Sequence, residues 1–572
     1  MASTTALFTG LSGILANSRM LDVIGNNISN VNTQGFKSNR LTFAPTFSRT
    51  LGIGTAPSGQ SGGANPSQIG LGVNVAGTQR NMGNGAVTVT GVKTDLAIEG
   101  SGFFIVSSGA NQFYTRNGSF QLNSLNELTS LSGARVQGYG IDSQFNVQTG
   151  TLTDLTIPVG SLTIAEATRN VSFSGNLNAS GDIGTVGSLI DFDPLLALGT
   201  AAPPPANPPF SDGTTRLVDL DDGSGNPMFT SGQSLRLSGA EKGGARLPDA
   251  ELAVDNTTTI ADFLAFLEQS LGIDTSQPGQ PGGVTIDPTT GVINIEGNMG
   301  DANELTVESS DLSILDAAGT VVDQPFTTTK TGLAAGESVR TSFLVFDSLG
   351  TPLQVDLTMV LESTSSTGTT WRYYVESQDN VGGDVRVGTG TLDFGTDGRI
   401  SSIADFSIQI DRSNTGAETP LTMNLSFDSN GNSVTAFSDT NTELAAVFQD
   451  GSPIGTLVEF NIGEDGIVVG AFSNGLIRDL GQVAMATFTN PEGLVDAGNQ
   501  LFGIGPNSGS PVIASPLTFG AGRIISSALE LSNVDLSAEF INLILASTGY
   551  SASTRIITTA NDLMQQLLLI GR

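Results

Sequence analysis

Carboxylates have the widest scope for chemistry in this sequence, because 55 Asp and Glu stand against no cysteine and no histidine. The missing cysteine excludes disulfides, thiolate nucleophiles and thiolate metal sites. The missing histidine removes the usual general base and the commonest metal ligand. Asp219-Leu-Asp221-Asp222-Gly223-Ser-Gly225 places carboxylates two apart before glycine, as a calcium loop does. The spacing does not complete an EF-hand and no bidentate Glu follows, so the stretch reads as an acidic turn. Asp428-Ser-Asn-Gly-Asn432 reads likewise as a hairpin turn. Sugar hydrolysis would need two facing acids, and nothing along the chain singles out a pair. We therefore assign no catalytic, cofactor-binding or metal-ligating residue and do not read the chain as an enzyme.

The charge is unevenly placed. Residues 1–160 carry 8 basic and 6 acidic side chains, residues 161–450 carry 11 and 39, and residues 451–572 carry 4 and 10. The middle of the chain thus holds net -28 of a total of -32. Nucleic acid and anionic lipid are bound by Lys and Arg clusters, so neither is an expected partner. No apolar run approaches the roughly 20 residues of a membrane span. The start, Met-Ala-Ser-Thr-Thr, lacks the basic region of a leader, and Thr9, Ser12, Asn17 and Arg19 interrupt its apolar positions. If the chain leaves the cell, it does so without a cleaved signal peptide.

Two amphipathic helices occupy the ends. Leu7, Leu11, Ile14, Leu21, Ile24, Ile28 and Val31 recur at three- or four-residue steps, with Ser18 in the gap, and make one apolar stripe. The stripe runs into an Asn-rich, Gly-containing segment that includes Asn26, Asn27 and Asn30, then Gly35 and Phe36. From Val534 to Leu569, Leu536, Leu543, Tyr550, Ile557 and Met564 recur every seven residues, a spacing that keeps one face toward a neighbouring helix. The companion row, Phe540, Ser547, Thr554, Asn561 and Leu568, is small and largely polar. Asn533, Asp535 or Ser537 caps the start. Sparse apolar content in each helix favours completion by neighbouring copies, and the three Asn amides offer donors and acceptors to another subunit's backbone.

Between the helices, 72 glycines and many Thr, Ser, Asn and Asp favour strands and tight turns. The expected fold is mainly β and multidomain with α-helical termini. The domains are nested, the terminal helices pair as a coiled-coil-like layer, and one α+β domain is inserted. Residues 1–40 hold the N-terminal helix of an inner assembly domain, and 41–77 an extended linker that docks through Phe43, Phe47 and Leu51. Residues 78–158 and 451–525 form a first β domain, in which Asn117-Gly118 reads as a hairpin turn. Residues 159–180 and 335–450 form a second. Residues 181–334 form the inserted domain, punctuated by Ala201-Ala-Pro-Pro-Pro-Ala-Asn-Pro-Pro, with a helix over Thr259–Leu271. Residues 526–572 hold the C-terminal helix.

Leu21-Asp-Val-Ile-Gly-Asn-Asn-Ile-Ser-Asn-Val-Asn-Thr-Gln-Gly-Phe-Lys-Ser38 resembles the N-terminal signature of the bacterial flagellar rod and hook axial proteins. Leu531-Ser-Asn-Val-Asp-Leu-Ser-Ala-Glu-Phe-Ile-Asn-Leu-Ile544 and Ile557-Thr-Thr-Ala-Asn-Asp-Leu-Met-Gln565 are similar to its C-terminal counterpart. Val345-Phe-Asp-Ser-Leu-Gly-Thr-Pro352, Gly470-Ala-Phe-Ser-Asn-Gly475 and Leu480-Gly-Gln-Val-Ala-Met-Ala-Thr-Phe-Thr-Asn-Pro-Glu-Gly-Leu494 resemble the hook branch, and rod proteins are much shorter. The likeness covers about 1–180 and 335–572. Ser547-Thr-Gly-Tyr-Ser551 departs from it, because the family carries Arg and Gln around the Tyr.

The resemblance implies a structural subunit that polymerises into a flexible curved tube and transmits torque from rod to filament as a universal joint. It implies helices lining the channel, β domains further out, and an extracellular place in the flagellar hook. It implies as partners other copies of the chain, the distal rod, the hook cap, the hook–filament junction proteins and the flagellar export apparatus, with no cofactor. The subunit contacts would run through the terminal helices and the N-terminal motif. A distal rod-type protein is the nearest alternative, and a secreted adhesin or surface-layer protein a more distant one.

Overall fold

The computed structural model describes residues 2–198, 213–275, 282–401, 406–429, 432–438 and 441–570. The proline-rich stretch at 201–209 and the tip of the 428–432 turn lie outside the described residues. The chain folds as two compact units, residues 1–162 with 456–572, and residues 163–455.

In the first unit the two long helices are α1 (Ala2–Ser29) and α3 (Leu536–Ile570). α1 stops nine residues before the next strand because its last side chains compete for the backbone. Asn30 Nδ2 donates to the Asn26 carbonyl at 2.9 Å, and Gly35 takes a left-handed φ of 68°. At α3 the capping residue is Asp535, whose Oδ1 accepts from the Ser537 and Ala538 amides at 3.0 and 3.1 Å. The expected extended linker is instead a two-tier antiparallel hairpin. Asn39–Pro45 pairs with Val73–Arg80, Ser48–Gly52 pairs with Ser67–Gly70, and bridges Thr55–Ala64 and Ser58–Ser61 close the tip. Gly, Ser and Pro mask this pairing in the sequence. Backbone bonds carry the pairing, and Phe47 and Ile53 stay exposed.

The β core of this unit is assembled from both halves of the chain. Arg135–Ile141 pairs with Phe103–Ser108 through Arg135 and Val136 and with Ile477–Val483 through Gly138 and Tyr139, and Phe103, Ile105, Tyr114, Tyr139, Ala484, Ala486, Leu494 and Phe502 pack together. Asn117-Gly118 does not close a hairpin: Asn111–Thr115 pairs with Phe103–Ser108, whereas Phe120–Leu122 pairs with Leu128–Ser130. The turn rounds a corner instead. Gly118 is required there because a Cβ would overlap the Leu96 carbonyl oxygen, and the close approach is held by a 3.0 Å bond from Leu96 N to Gly118 O. Two short ribbons lead out to the helices, Leu96–Glu99 with Arg523–Ser526 and Val87–Val89 with Ala528–Glu530.

In the second unit a four-stranded antiparallel meander, Ser338–Phe346, Pro352–Ser365, Gly368–Ser377 and Arg386–Gly395, packs on a sheet containing Phe406–Ile410, Leu421–Ser426 and Asn170–Asn176. Alternation along the strands sends Val355, Leu357, Met359 and Leu361 inward with Trp371 and Tyr373. Phe173 stacks on Phe427 with centroids 5.1 Å apart.

The residues read as an inserted domain form two four-stranded sheets, one of three strands and one of two, together with α2 (Ile260–Ser270). Thr259 and Asp262 make a reciprocal capping box, and Ile260, Phe263, Leu267 and Leu271 are buried. Their attachment to the meander combines an apolar cluster of Met299, Val360 and Tyr374 with a buried ion pair. The fully buried Lys242 Nζ bonds Glu376 and donates to the Gly272 carbonyl at 2.9 Å, past the end of α2. Burial pushes the Lys242 ammonium below its ordinary value, and Glu376 pulls it partly back.

Candidate assembly interface

α1 and α3 lie antiparallel, and the residues between them are small. A Cβ on Gly13 would fall 2.6 Å from Ser553 Oγ, one on Gly549 2.8 Å from Asn17 Oδ1, and one on Gly10 2.8 Å from Ile557 Cγ1. Ala16, Ala546 and Ala560 are buried in the same seam. Small residues let the two backbones approach closely, so the contact is tight but removes little apolar surface from water.

This seam is not the one that the seven-residue apolar spacing predicts. The row that meets α1 is Glu539, Ala546, Ser553 and Ala560. Of the expected row, Leu543, Ile557 and Met564 are half-buried on its flank, while Leu536 and Tyr550 are exposed; the companion row, Phe540, Ser547, Thr554, Asn561 and Leu568, is exposed throughout. Bulky side chains would hold the helices apart, and close packing of Gly, Ala and Ser turns them outward. On α1, Ile24 is buried, Leu7, Ile14, Leu21 and Ile28 are half-buried, and Leu11 is exposed.

Large apolar side chains are consequently left on the open faces. Phe8 (68%), Leu11 and Leu15 run along α1; Ile541, Ile544 (62%), Leu545 (62%), Ile556, Leu563 and Leu568 (73%) run along α3. Beside them the hairpin and the helices enclose a cleft of about 560 Å³ lined by Ala6, Thr9, Leu51, Ile69 and Ile556. Rows of exposed large apolar side chains of this kind are the type of surface that proteins use to contact another macromolecule.

The Asn-rich motif divides between internal and open positions. Asn27 is fully buried: its Nδ2 donates to the Asn39 carbonyl at 2.8 Å and to Glu539 Oε1 at 2.9 Å, and its Oδ1 accepts from Asn39 N at 2.9 Å. The expectation that this amide serves another subunit is thereby corrected, because both its N–H donors and its carbonyl oxygen are engaged within the protomer and the side chain is fully buried. Asn26 is exposed and Asn30 half-buried, and the two bond each other through Asn30 Nδ2 and Asn26 Oδ1 at 3.1 Å. Gly35 is buried where a Cβ would stand 2.9 Å from the Arg116 and Asn117 backbone. Its amide donates to the Glu530 carbonyl at 2.8 Å, and Phe36, half-buried, accepts from Asn533 N at 3.3 Å.

The sequence reading missed Lys37, Arg116, Glu530 and Glu539, charged residues that look like ordinary surface positions, and took Asn533 only as a candidate helix cap. Lys37 Nζ meets Glu530 Oε1 at 2.6 Å and Arg116 Nη1 meets Glu530 Oε2 at 3.3 Å, all three side chains buried. Burial holds both cations below their ordinary values, and Glu530 partly offsets that. The partners are 493 and 414 residues apart in sequence, a separation that no local pattern signals. Among the described residues no group of three or more acids stands where a metal could be held, and no helix is long and apolar enough to cross a membrane. Asp221 and Asp222 are taken up by their own turn, Asp221 Oδ1 accepting from Gly223 and Gly225 N and Asp222 Oδ1 from Ser224 and Asn226 N, while Asp219 pairs with Arg216.

Four family models match in chain order. They are the flagella basal body rod protein over 7–37, the flagellar hook protein FlgE/F/G D1 domain over 97–183, the flagellar basal body protein FlaE D2 domain over 314–452, and the flagellar basal body rod FlgEFG protein C-terminal over 525–569. The chain is 28% identical to the flagellar hook protein FlgE of Treponema pallidum, with 99% of each chain covered. It is also 28% identical to that of Borreliella burgdorferi, with 98% of each covered. The crystal structure of Helicobacter pylori flagellar hook protein FlgE2 aligns with 76% of this chain and 98% of its own at 18% identity and a TM-score of 0.37.

Proposed function

We infer from the membership of this chain in the bacterial flagellar hook protein family that it is a structural subunit of the hook, polymerising into a curved tube that carries torque from rod to filament. The observation that carries this reading is the outward display of Phe8, Leu11 and Leu15 on α1 and of Ile541, Ile544 and Leu545 on α3. A helix pair joined through Gly, Ala and Ser buries its large side chains only against further copies. Contacts of that kind, made head to tail on a helical path, do not close and so extend.

The finer statements belong to the same reading. The tube stands outside the cell, and its subunits pass the flagellar export apparatus. The first copies meet the distal rod, the growing end carries the hook cap, and the last copies meet the hook–filament junction proteins. The subunit is structural and not catalytic. Residues 163–455, with 11 basic and 39 acidic side chains, repel the same region of neighbouring copies. That repulsion keeps contacts weak enough to slide as the tube bends in rotation.

The test compares the purified full chain with a version lacking residues 1–30 and 535–572, by electron microscopy and sedimentation. Tubes from the full chain and a folded, unassembled trimmed chain support the reading. Equal assembly of both refutes it.

A further inference from the structure

Glu530 lies at the end of the last ribbon, six residues before α3. Its carboxylate accepts from Lys37 Nζ at 2.6 Å, Arg116 Nη1 at 3.3 Å and the Gly85 amide at 2.7 Å. Lys37 Nζ goes on to the Gly83 carbonyl at 2.8 Å, and Arg116 Nη2 to the Gly100 carbonyl at 2.7 Å. Four stretches of chain therefore meet on one carboxylate: the segment leaving α1, the segment entering the β core, the turn at 100 with the strand end at 116, and the approach to α3. Asn533 braces the same point from outside, accepting from Ser38 N at 2.8 Å and donating to the Asn81 and Gly83 carbonyls at 2.8 and 2.9 Å.

We propose that Lys37, Arg116 and Glu530 form a positioning device that sets the direction in which both terminal helices leave the β core, and through it the curvature of the assembled tube. The proposal rests on the chain being a polymer subunit. Two cations on one buried carboxylate are a poor source of stability, because desolvating three charges offsets most of their attraction; what such a cluster supplies is geometry. The charge-assisted bonds fix the strand ends in direction as well as distance. Close by, Ser527 stands at a left-handed φ of 57°, which turns the chain from one exit ribbon into the other. In a polymer a small rotation at this junction repeats in every copy, so a change too slight to unfold a monomer is magnified along the tube.

The test uses the full chain with Lys37→Met, which leaves Arg116 and Glu530 as a neutral pair of similar volume, beside Lys37→Arg, which restores the charge. Monomer melting is followed by circular dichroism and tube shape by electron microscopy. The proposal expects the Lys37→Met monomer to melt with the unchanged chain while its tubes lose the normal curvature or fail to grow, and Lys37→Arg to regain the shape. Lys37→Met tubes of unchanged curvature overturn it. A Lys37→Met chain that fails to fold overturns it equally, since the cluster then merely stabilises. Absence of tubes from the unchanged chain refutes the polymer reading first, and the proposal falls with it.

Discussion

Asn27 Nδ2 donates to Glu539 Oε1 at 2.9 Å, joining the last turn of α1 to the first turn of α3 across 512 residues of sequence. The same amide closes on both backbone groups of Asn39. One buried side chain thus fixes the helix pair and the start of the hairpin together.

Replacing that amide isolates its contribution. Asn27→Ala leaves the Asn39 amide and carbonyl without their partner, and an unsatisfied buried group costs about 1–3 kcal/mol. Denaturant unfolding of the full chain, followed by helix signal, should show a loss in that range, with the β signal less affected.

The close approach of the helices depends on Gly13. Gly13→Val places a branched side chain against Ser553, and overpacking of this kind costs about 1–3 kcal/mol. The helix melting temperature should fall, whereas Leu11→Val, at an exposed position of α1, should leave the monomer unchanged.

Lys242 and Glu376 form the buried ion pair of the attachment in the second unit. Lys242→Met strands a buried carboxylate and should cost about 3–5 kcal/mol, while Lys242→Met with Glu376→Leu should recover most of it. Thermal unfolding of the three chains decides the matter, and equal losses in single and double variants would contradict it.

Asp255 gives a pH prediction. The Thr257 hydroxyl and amide donate to its Oδ1 at 2.7 Å each, and Thr258 adds bonds at 2.9 and 3.0 Å; these hold the carboxyl down at about 2, against an ordinary 3.8. A lowered carboxyl stabilises the fold above its unfolded value, and the contribution is lost as pH falls from 3.8 through about 2. An NMR titration should place Asp255 near 2, and Asp255→Asn should flatten the acid limb of the stability curve. A midpoint near 3.8 would contradict the turn geometry.

What the sequence disclosed follows the range of each interaction. The α2 helix is legible because its capping pair, Thr259 and Asp262, and its apolar face all lie within thirteen residues. The terminal helices are legible as helices, but the seam is not: Glu539, Ala546, Ser553 and Ala560 share the seven-residue spacing without being large and apolar, so an apolar search selects the neighbouring row. The Asn117-Gly118 corner and the 39–80 hairpin are misread because strand pairing there is set by distant partners and by backbone bonds. The Lys37–Glu530–Arg116 cluster leaves no local trace at all, since its members become neighbours only when both ends of the chain return to the same edge of the β core.

The central claim is that the outward apolar rows are contacts between copies. Its most direct test is the variant carrying Ile541→Glu and Leu545→Glu, in which circular dichroism reads the monomer and electron microscopy reads assembly. Both positions are more than half exposed on α3, so the account predicts a monomer with unchanged helix content and melting temperature that gives no tubes. Tubes of normal number and length from this variant would contradict it.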